Sequence, residues 1–496
     1  MLLIVFLILT LSPVAQAREL TAAEMREDLH QLCHLAKTVW SHYEMRRTEF
    51  GLDLDALCRR LETRIDNRTT EQQFDRILRE FVAELQDGHA HISLAGPSYR
   101  LPFRLCEVDQ KIIVDRVLYF PSAFHPGDRV LKIGGQPVQT LLEDSLKVTA
   151  SSSPGQRRVR AVDALVRVAS PEPLAVELES LQGELFTVCC CPEQNLDWDD
   201  SLTWRCLPHD LEYLRLASFG QDQKIVRTQS ILNGSSTTDE MLSGVHRKVE
   251  ALQAAFRELS SCRGLVLDLR DNQGGTDILG EILGQALAPQ TPTYYELETP
   301  LSAELKRIPG FAEAKGGRYA SPVMAPEKLP PFHGRLAILM NERSFSATDN
   351  FLNFIACARP DALLVGSPNG AGSGAPRPVG RLEHSGAVFT CCVMRVWNAR
   401  GTPIEGHPLK VNLSVRPTRE DIADGRDAVL EAAVQALDRP EPRARVPNGA
   451  QLLNDCWPSC RCRHAGNAGR RPGASCCRVA FLTWPRGFSR LPSSGG

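Results

Sequence analysis

The chain has 496 residues, of which 43% are hydrophobic and 23% are charged, and its formal net charge at pH 7 is −2. These values are typical of an ordinary globular protein with two or three domains. A net charge close to zero argues against a nucleic-acid-binding protein and against a polybasic membrane protein. Neither kind of partner is therefore expected.

The first residues form an apolar run from Leu2 to Leu11, followed by the small-residue site Ala15-Gln16-Ala17. This pattern predicts a signal peptide over residues 1–17 and an exported protein, periplasmic or secreted. The alternative is a membrane anchor, but the run is short for a span. No later segment is long and apolar enough to cross a bilayer, so no stable membrane insertion is expected after cleavage.

Residues 18–95 are predicted to be a helical segment. The stretches "TAAEMREDLHQLCHLAKTVWSHY" and "TEQQFDRILREFVAEL" both carry apolar residues at intervals of three to four, as an amphipathic helix does. Thr21 and Thr70 are the expected N-caps. The segment ends in "QDGHAHISL", where the apolar period changes toward that of a strand.

Residues 101–195 are predicted to be a small β-rich module. "KIIVDRVLYF" is typical of a strand, and "HPGDRVLKIGGQPV" predicts two strands joined by a tight turn at Gly134-Gly135. The stretch "PLAVELESLQGELFTV" predicts a hairpin.

Residues 204–438 alternate between apolar strands and helices. Strands that are apolar throughout and joined by helices indicate an α/β fold with a mainly parallel sheet covered on both faces. Ligand sites in such sheets lie at the carboxyl ends of the strands. The segments "DLRDNQGG" and "NERSFSA" both occupy such ends.

Residues 440–496 are rich in Pro, Arg, Gly, Ser and Cys and show no periodicity, which predicts a disordered tail. Five of the 16 cysteines lie there. "CWPSCRC", with His464, loosely resembles a metal knuckle, but no second knuckle accompanies it, so no metal site is expected.

The two strand ends carry the candidate chemistry. Gly274 and Gly275 let the backbone approach a ligand closely and turn N–H groups outward, where they could receive an oxyanion. Ser346 stands where a strand gives way to a helix, so that the Ala347 N–H points into the same space. The alternatives are a turn that only needs positive φ and an N-cap completed by Asp349.

Together these segments resemble the C-terminal-processing and tricorn-like family of serine peptidases. The similar pieces are "DGHAHISL", "PGDRVLKIGGQPV", "YLRLASF", "GLVLDLRDNQGG", "NERSFSATDNF" and "GTPIEGHPLKVNLSVRPTREDIADGRDAVLEAAV", in the family's order, over roughly residues 75–440. The resemblance implies a crotonase-like α/β catalytic domain preceded by a PDZ-like module that presents substrate chain ends.

The resemblance assigns the nucleophile to Ser346 and the oxyanion donors to the Gly274 and Ala347 amides. One branch of the family uses a lysine base after the nucleophile's helix. Here that segment has no lysine: Ala371 stands about where it would fall, and Lys410 is the first lysine after Ser346.

The tricorn-like branch instead uses a histidine and a glutamate, which match His89 and Glu405. A neutral imidazole would take the serine proton while a carboxylate orients a catalytic group or its water. Relatives carry a serine just before the histidine, where this chain has Gly88. Asp87 could compensate if the strand register is irregular. His91 competes with His89 as the base, and His407 is a further candidate orienting group.

The sequence thus predicts an exported serine endopeptidase that acts on polypeptide substrates without a metal or organic cofactor, with assembly into homo-oligomers left open. The first alternative is a catalytically silent relative that binds peptide ends. A second alternative is a crotonase-type acyl-thioester enzyme. The absence of H-E-x-x-H and G-x-S-x-G disfavours a zinc peptidase and an α/β-hydrolase esterase.

Overall fold

A computed structural model describes residues 19–93, 98–118, 123–194, 202–220, 238–259, 261–288, 293–308, 311–312, 316–322 and 329–439. The predicted signal peptide and the predicted disordered tail lie outside these residues. Within them, no helix is long and apolar enough to span a membrane.

Eleven α-helices lie in these ranges: Ala22–Thr38 (α1), Tyr43–Phe50 (α2), Leu54–Glu62 (α3), Glu71–Glu84 (α4), Val138–Val148 (α5), Pro154–Ala164 (α6), Thr238–Leu259 (α7), Asp277–Leu287 (α8), Ala347–Ala358 (α9), Arg419–Asp424 (α10) and Ala428–Asp438 (α11).

The strands of the same ranges are His91–Ser93 (β1), Tyr99–Arg100 (β2), Phe103–Val108 (β3), Lys111–Val117 (β4), Arg129–Ile133 (β5), Gln136–Pro137 (β6), Arg167–Val168 (β7), Leu174–Glu179 (β8), Leu185–Cys190 (β9), Leu202–Leu207 (β10), Leu211–Leu216 (β11), Gly264–Asp268 (β12), Thr293–Glu298 (β13), Arg318–Pro322 (β14), Arg335–Met340 (β15), Leu363–Gly366 (β16), Pro376–Arg381 (β17), Val388–Cys392 (β18), Arg395–Trp397 (β19) and Leu413–Ser414 (β20).

Helices α1 and α4 begin at the two predicted caps. The Thr21 hydroxyl accepts the N–H of Glu24, and the Thr70 hydroxyl accepts that of Gln73. In both cases the third helical residue returns a side-chain acceptor to the N–H of the cap residue. Both caps are therefore capping boxes, in which each side chain satisfies a backbone N–H that the helix leaves without a partner.

The β module, residues 99–193, contains an antiparallel sheet in the order β3-β4-β5-β8-β9. Strands β8 and β9 pair from Leu174↔Cys190 to Glu179↔Leu185, so the predicted hairpin is confirmed. Helices α5 and α6 pack on this sheet over a core of its own that includes Phe103.

The central sheet has the order β10-β11-β12-β15-β16-β20. Only β10 pairs antiparallel, and the other four pairings are parallel. Residues of α7, α8 and α9 cover one face, while α11 covers the other. The predicted α/β fold with a mainly parallel sheet is confirmed, and the apolar strands follow from burial on both faces.

The N-terminal helices share their core with a distant part of the chain. Strand β1 pairs antiparallel with β18, with His91 opposite Thr390. Phe389 and Cys391 of β18 lie in the same buried cluster as Leu29 and Phe81 of the helices. This packing fixes the turn between α4 and β1 against the C-terminal half of the chain, a relation that local sequence patterns do not show.

Candidate active site

The carboxyl ends of β12 and β15 bring the two predicted site segments together. These strands are parallel neighbours, with Asp268 opposite Leu339. Beyond them, the Phe345 N–H donates to the Asn272 carbonyl at 3.0 Å. The Ser344 hydroxyl donates to the Leu269 carbonyl at 2.8 Å. Ser344 thus fastens one loop to the other and shapes the site without facing the reacting groups.

Ser346 has a backbone conformation that few residues other than glycine adopt. Its φ is 64° and its ψ is −123°, at the residue that precedes α9. Its N–H donates to the Asp349 carboxylate at 3.0 Å and to the Gly372 carbonyl at 3.1 Å. Strained conformations persist only where neighbouring contacts hold them, and they cluster at functional sites.

His89 lies within hydrogen-bond distance of this serine. Its Nε2 atom is 2.9 Å from the Ser346 Oγ atom. The imidazole packs against the Phe345 ring with centroids 4.4 Å apart and planes at 33°. Only 8% of its side chain is exposed. The structure therefore brings together a hydroxyl and a buried imidazole from residues 257 positions apart in the chain.

His91, the competing histidine, faces away from the nucleophile. Its side chain is exposed on β1, and its Nδ1 atom lies 3.2 Å from the His89 carbonyl oxygen. Residues two apart on a strand face the same way, but β1 begins at His91 and His89 occupies the preceding turn, so the two side chains need not share a face. The geometry favours His89 as the base.

Asp87 holds that turn from inside the protein. One carboxylate oxygen accepts the His89 N–H at 2.8 Å, and the other accepts the Trp40 Nε1–H at 2.8 Å. The carboxylate is completely buried. Its Oδ1 atom lies 3.9 Å from the His89 Nδ1 atom, which is beyond hydrogen-bond distance.

Gly88 leaves no space for the serine found in tricorn-like relatives. A Cβ atom built there would stand 2.6 Å from the Gln156 Oε1 atom and 2.8 Å from the Phe345 Cζ atom. The Gly88 N–H donates instead to the Ser152 hydroxyl at 2.9 Å, and its carbonyl accepts a bond from Arg160. Ser152 and Arg160 thus hold the turn at Gly88, where a serine would do so in the tricorn-like relatives.

The two candidate oxyanion donors lie together but differ in their present partners. A Cβ atom on Gly274 would stand 2.7 Å from the Ser346 Cβ atom and 2.8 Å from the Ala347 nitrogen, which explains the glycine at φ 93°. The Gly274 N–H, however, donates to the Asn272 Oδ1 atom at 2.9 Å. That oxygen also accepts the Thr348 hydroxyl at 2.7 Å. Asn272 is a site residue that the motif contained but the sequence reasoning did not single out.

Asp349 organises the loop in which relatives carry the lysine. Its carboxylate accepts the Ala371 and Gly372 N–H groups at 3.2 and 2.8 Å. It also accepts a side-chain bond from Asn369. Burial raises the pKa of Asp349 to about 7, although these hydrogen bonds oppose the shift. Ala371 therefore lies at the site, but it offers no titratable group.

Glu405 is buried beside the site and bonded to groups other than Ser346 and His89. Arg46 donates to its Oε1 atom at 3.1 Å, and the Ser373 N–H donates to its Oε2 atom at 3.1 Å. The Ser152 hydroxyl also hydrogen-bonds to this carboxyl group. Burial and the nearby Asp87 raise the pKa of Glu405 to about 8, and Arg46 opposes the shift. The side chain of the other candidate, His407, lies with its Nδ1 atom 2.8 Å from the Glu405 carbonyl oxygen.

Burial sets the protonation state of the candidate base. It lowers the pKa of His89 from the ordinary 6.5 to about 4, an effect that the Asp87 carboxylate opposes. The pKa of Asp87 itself lies below its ordinary value, because His42, His89 and two hydrogen bonds outweigh the effect of burial. At neutral pH, His89 is therefore a neutral base beside an ionised carboxylate.

One grouping of metal-ligand side chains occurs in the part of the chain that the structure describes. His42, Asp87 and Cys392 are buried, with ligand atoms within 4.8 Å of one another. Each has a protein partner: His42 Nε2 lies 3.2 Å from the Ser373 carbonyl, and Cys392 Sγ lies 3.8 Å from Asp87 Oδ1. These contacts account for the grouping without an ion.

Comparisons with known proteins bear on the fold and on the family. A search of curated protein sequences gave no match. Among solved structures, mature CPAF and mature CPAF complexed with lactacystin each align with a TM-score of 0.65 at 14% identity, over 84% of this chain and 97% or 98% of theirs. This likeness shows a shared fold. Residues 210–415 match the model of peptidase family S41, and they include β11, β12, β15, the nucleophile candidate and Glu405. This part of the chain therefore matches peptidase family S41, in line with the resemblance of its motifs.

Proposed function

We propose that the chain is an exported serine endopeptidase in which Ser346 attacks the peptide carbonyl and His89 acts as general base. The contact of 2.9 Å between His89 Nε2 and Ser346 Oγ carries this proposal. A serine hydroxyl is a weak nucleophile unless a base accepts its proton. The buried neutral imidazole supplies that base in hydrogen-bond reach.

The proposed reaction follows from the positions of these groups. The Ser346 Oγ atom bonds to the carbonyl carbon while its proton moves to His89 Nε2, and the carbonyl oxygen becomes an oxyanion. The imidazolium then protonates the leaving amine, so that an acyl-enzyme remains. Water repeats the two steps with His89 as base, which releases the carboxylic acid and restores the hydroxyl.

Backbone amides are the proposed oxyanion donors. The Ala347 N–H lies at the first residue of α9, where a helix dipole favours negative charge. The Gly274 N–H has to leave the Asn272 Oδ1 atom before it can bind the oxyanion. The Thr348 hydroxyl remains on that oxygen, so Asn272 would keep a donor after the exchange.

Glu405 is proposed to support the site through a chain of hydrogen bonds. The Ser152 hydroxyl connects this carboxyl group to the Gly88 N–H, in the turn that carries His89. The Ser373 N–H connects it to the loop around Ala371. Glu405 thus holds two loops of the site in place, and no proton transfer is assigned to it.

The second candidate function is a catalytically silent relative that binds peptide ends. Two observations favour it. The His89 Nδ1 atom is buried without a hydrogen-bond partner among the described residues. The Gly274 N–H is occupied by Asn272. In this alternative the site keeps its shape, but the Ser346 hydroxyl is no longer activated as a nucleophile.

A fluorophosphonate probe distinguishes the two functions because it reacts only with an activated serine. We expect labelling of the wild type and none of Ser346→Ala, with mass spectrometry placing the adduct on Ser346. Preincubation with lactacystin, with which CPAF forms a complex, should reduce labelling if it occupies this site. A folded wild type that fails to label would support the silent alternative.

Export is proposed from the apolar run and small-residue site at the start of the chain. Polypeptides are the proposed substrates. Expression of the full chain in a secreting host, followed by N-terminal sequencing, should give a mature chain that starts at Arg18. Retention of Met1 in an unprocessed cytosolic product would contradict export.

A further inference from the structure

The buried imidazole of His89 has one nitrogen that lacks a partner. The Nε2 atom meets Ser346, but the Nδ1 atom makes no hydrogen bond to any residue the structure describes. A buried polar group without a partner destabilises the folded protein. Such a group in a native site calls for a physical explanation.

The proposed reaction increases the need for a partner at His89 Nδ1. When His89 accepts the Ser346 proton, both ring nitrogens carry hydrogen and the ring carries a positive charge. A buried charge needs a partner of opposite sign. The titratable groups with the largest effect on the ring are Asp87 from its own turn, Arg160 from α6, His42 before α2 and His91 from β1, and Asp87 is the acidic group among these four.

Asp87 is positioned to be that partner. Its Oδ1 atom lies 3.9 Å from Nδ1, so a shift of about 1 Å would close a hydrogen bond of ordinary length. Its other oxygen remains anchored by Trp40 at 2.8 Å. Because the carboxylate is fully buried, water does not screen its interaction with the ring.

The family resemblance assigns the supporting carboxylate to Glu405, but this residue hydrogen-bonds to groups other than His89. Its oxygens accept Arg46 and the Ser373 N–H, each at 3.1 Å. Its carboxyl group is therefore engaged by a guanidinium and a backbone N–H rather than by the imidazole. Within the described residues, its link to His89 runs indirectly through Ser152 and Gly88.

We propose that Asp87, rather than Glu405, is the positioning residue that accepts the Nδ1–H of His89 and stabilises the imidazolium during the reaction. This inference rests on the proposed function and makes it more specific. It reassigns the third member of the triad to the residue two positions before the base. The step transfers no proton to Asp87: the Ser346 proton stays on Nε2 until the leaving amine takes it.

The test compares three variants by their rate of fluorophosphonate labelling across pH. Asp87→Asn keeps the shape and removes the charge, so we expect labelling to slow by about 10²- to 10⁴-fold. Because Asp87 raises the pKa of His89, its loss should also move the acid limb of the profile to lower pH. Glu405→Gln should slow labelling by less than about tenfold and leave that limb in place.

Trp40→Phe is the matched control for a purely structural role. It removes the indole donor to Asp87 and keeps the charge, so labelling should slow far less than in Asp87→Asn. If Asp87→Asn labels at the wild-type rate, or if its acid limb does not move, the assignment of Asp87 is wrong.

A measurement on the wild type keeps the inference testable if Asp87→Asn does not fold. A peptide boronate adduct of Ser346 imitates the tetrahedral intermediate and holds His89 as the imidazolium. We expect a strongly deshielded Nδ1–H proton in the NMR spectrum of ¹⁵N-histidine-labelled protein, retained in Glu405→Gln. An adduct without that proton overturns the role of Asp87 alone, whereas failure of the wild type to react with either probe overturns the proposed function.

Discussion

The Nε2 atom of His89 lies 2.9 Å from the Oγ atom of Ser346, although 257 positions separate the two residues along the chain. Two local conformations produce this contact: a turn that ends α4 and a positive φ at Ser346. Neither residue is held by the other, because each is bonded by its backbone to a separate carboxylate. Asp87 accepts the His89 N–H, and Asp349 accepts the Ser346 N–H.

Because Asp349 holds the start of α9 through the Ser346 backbone, the serine hydroxyl can be removed without releasing the helix. We expect Ser346→Ala to abolish labelling and hydrolysis. The melting temperature should stay within about 2 °C of the wild type, since the variant removes one hydroxyl from a partly exposed residue. Activity assays and thermal unfolding monitored by circular dichroism test this. Retained hydrolysis would remove Ser346 from the mechanism.

Ser344→Ala is the matched control, with the opposite expectation. Its hydroxyl donates to the Leu269 carbonyl and accepts the Asn341 N–H, and the side chain is completely buried. Its loss should destabilise the fold by about 1–3 kcal/mol. The folded fraction should still react with the fluorophosphonate probe, so a dead but fully stable Ser344→Ala would mean that Ser344 takes part in the chemistry.

The two histidines should differ sharply in their effect on activity. His89→Ala removes the base and should lower kcat by at least about 10²-fold. His91→Ala removes an exposed side chain that hydrogen-bonds to the His89 carbonyl and should change kcat by less than about threefold. Kinetics on a casein-type substrate compare the two, and the reverse ranking would assign the base to His91.

The pH dependence of kcat/KM should report the buried state of His89. A base with an ordinary pKa of 6.5 would lose activity below neutral pH, whereas burial lowers the pKa of His89 to about 4. Activity should therefore persist through pH 5 and fall as the pH passes through about 4. The control is intrinsic fluorescence over the same range, which separates protonation of the base from acid unfolding. An acid limb near 6.5 in folded protein would contradict this environment.

Sequence patterns predicted the elements well, because the physics of each element is local. The caps at Thr21 and Thr70, the β8–β9 hairpin and the parallel sheet all follow from capping boxes, period-two alternation and apolar runs. The same reasoning placed "DLRDNQGG" and "NERSFSA" at strand ends, and neighbouring parallel strands then brought the two segments together.

Other relations depend on packing between distant segments and leave no local pattern. Arg46 belongs to a helix near the N-terminus, yet it is buried against Glu405. Phe345 packs against the His89 ring and also lies under the Arg160 guanidinium, whose Cζ atom is 4.5 Å from the ring centroid. The bond from the Gly274 N–H to Asn272 is local, but nothing in the motif distinguishes that side-chain acceptor from an ordinary turn residue. Such partners become visible only when the fold is known.

The tail after Pro440 should be dispensable for activity. Helix α11 ends at Asp438, and the Arg263 guanidinium binds the carboxylate of that residue at 2.9 Å. Arg335 donates to the Leu437 and Arg439 carbonyls. A chain that ends at Pro440 keeps these contacts, so its labelling rate and melting temperature should match those of the full chain. A shorter chain that ends at Ala433 serves as the comparison and should be destabilised.

Asp271 should fasten the β module to the central sheet by an ion pair that is lost in acid. Its carboxylate accepts Arg104 of β3 at 2.7 Å and the Asn341 side chain at 2.9 Å, and it lies 3.6 Å from the Arg343 guanidinium. Burial would raise the pKa of Asp271, but the two guanidinium groups hold it well below its ordinary value. A carboxyl group whose pKa is lower in the folded protein than in the unfolded chain stabilises the fold at pH values above its ordinary pKa of 3.8. This stabilisation is lost progressively as the pH falls below that value.

Asp271→Asn isolates this charge, because asparagine tolerates the φ of 64° at this position. Removing one partner of a buried pair should lower the free energy of unfolding by about 3–5 kcal/mol at pH 7. The difference from the wild type should shrink as the pH is lowered from 5 to 3, since the wild-type carboxylate then loses its advantage. Urea unfolding at several pH values measures both effects.

The control is Asp361→Asn. The Asp361 carboxylate pairs with Arg359 at 2.7 Å, but its side chain is 62% exposed. Its replacement should therefore lower the free energy of unfolding by less than about 1 kcal/mol. Equal losses for the two variants would show that the Asp271 pair contributes no more than a surface ion pair.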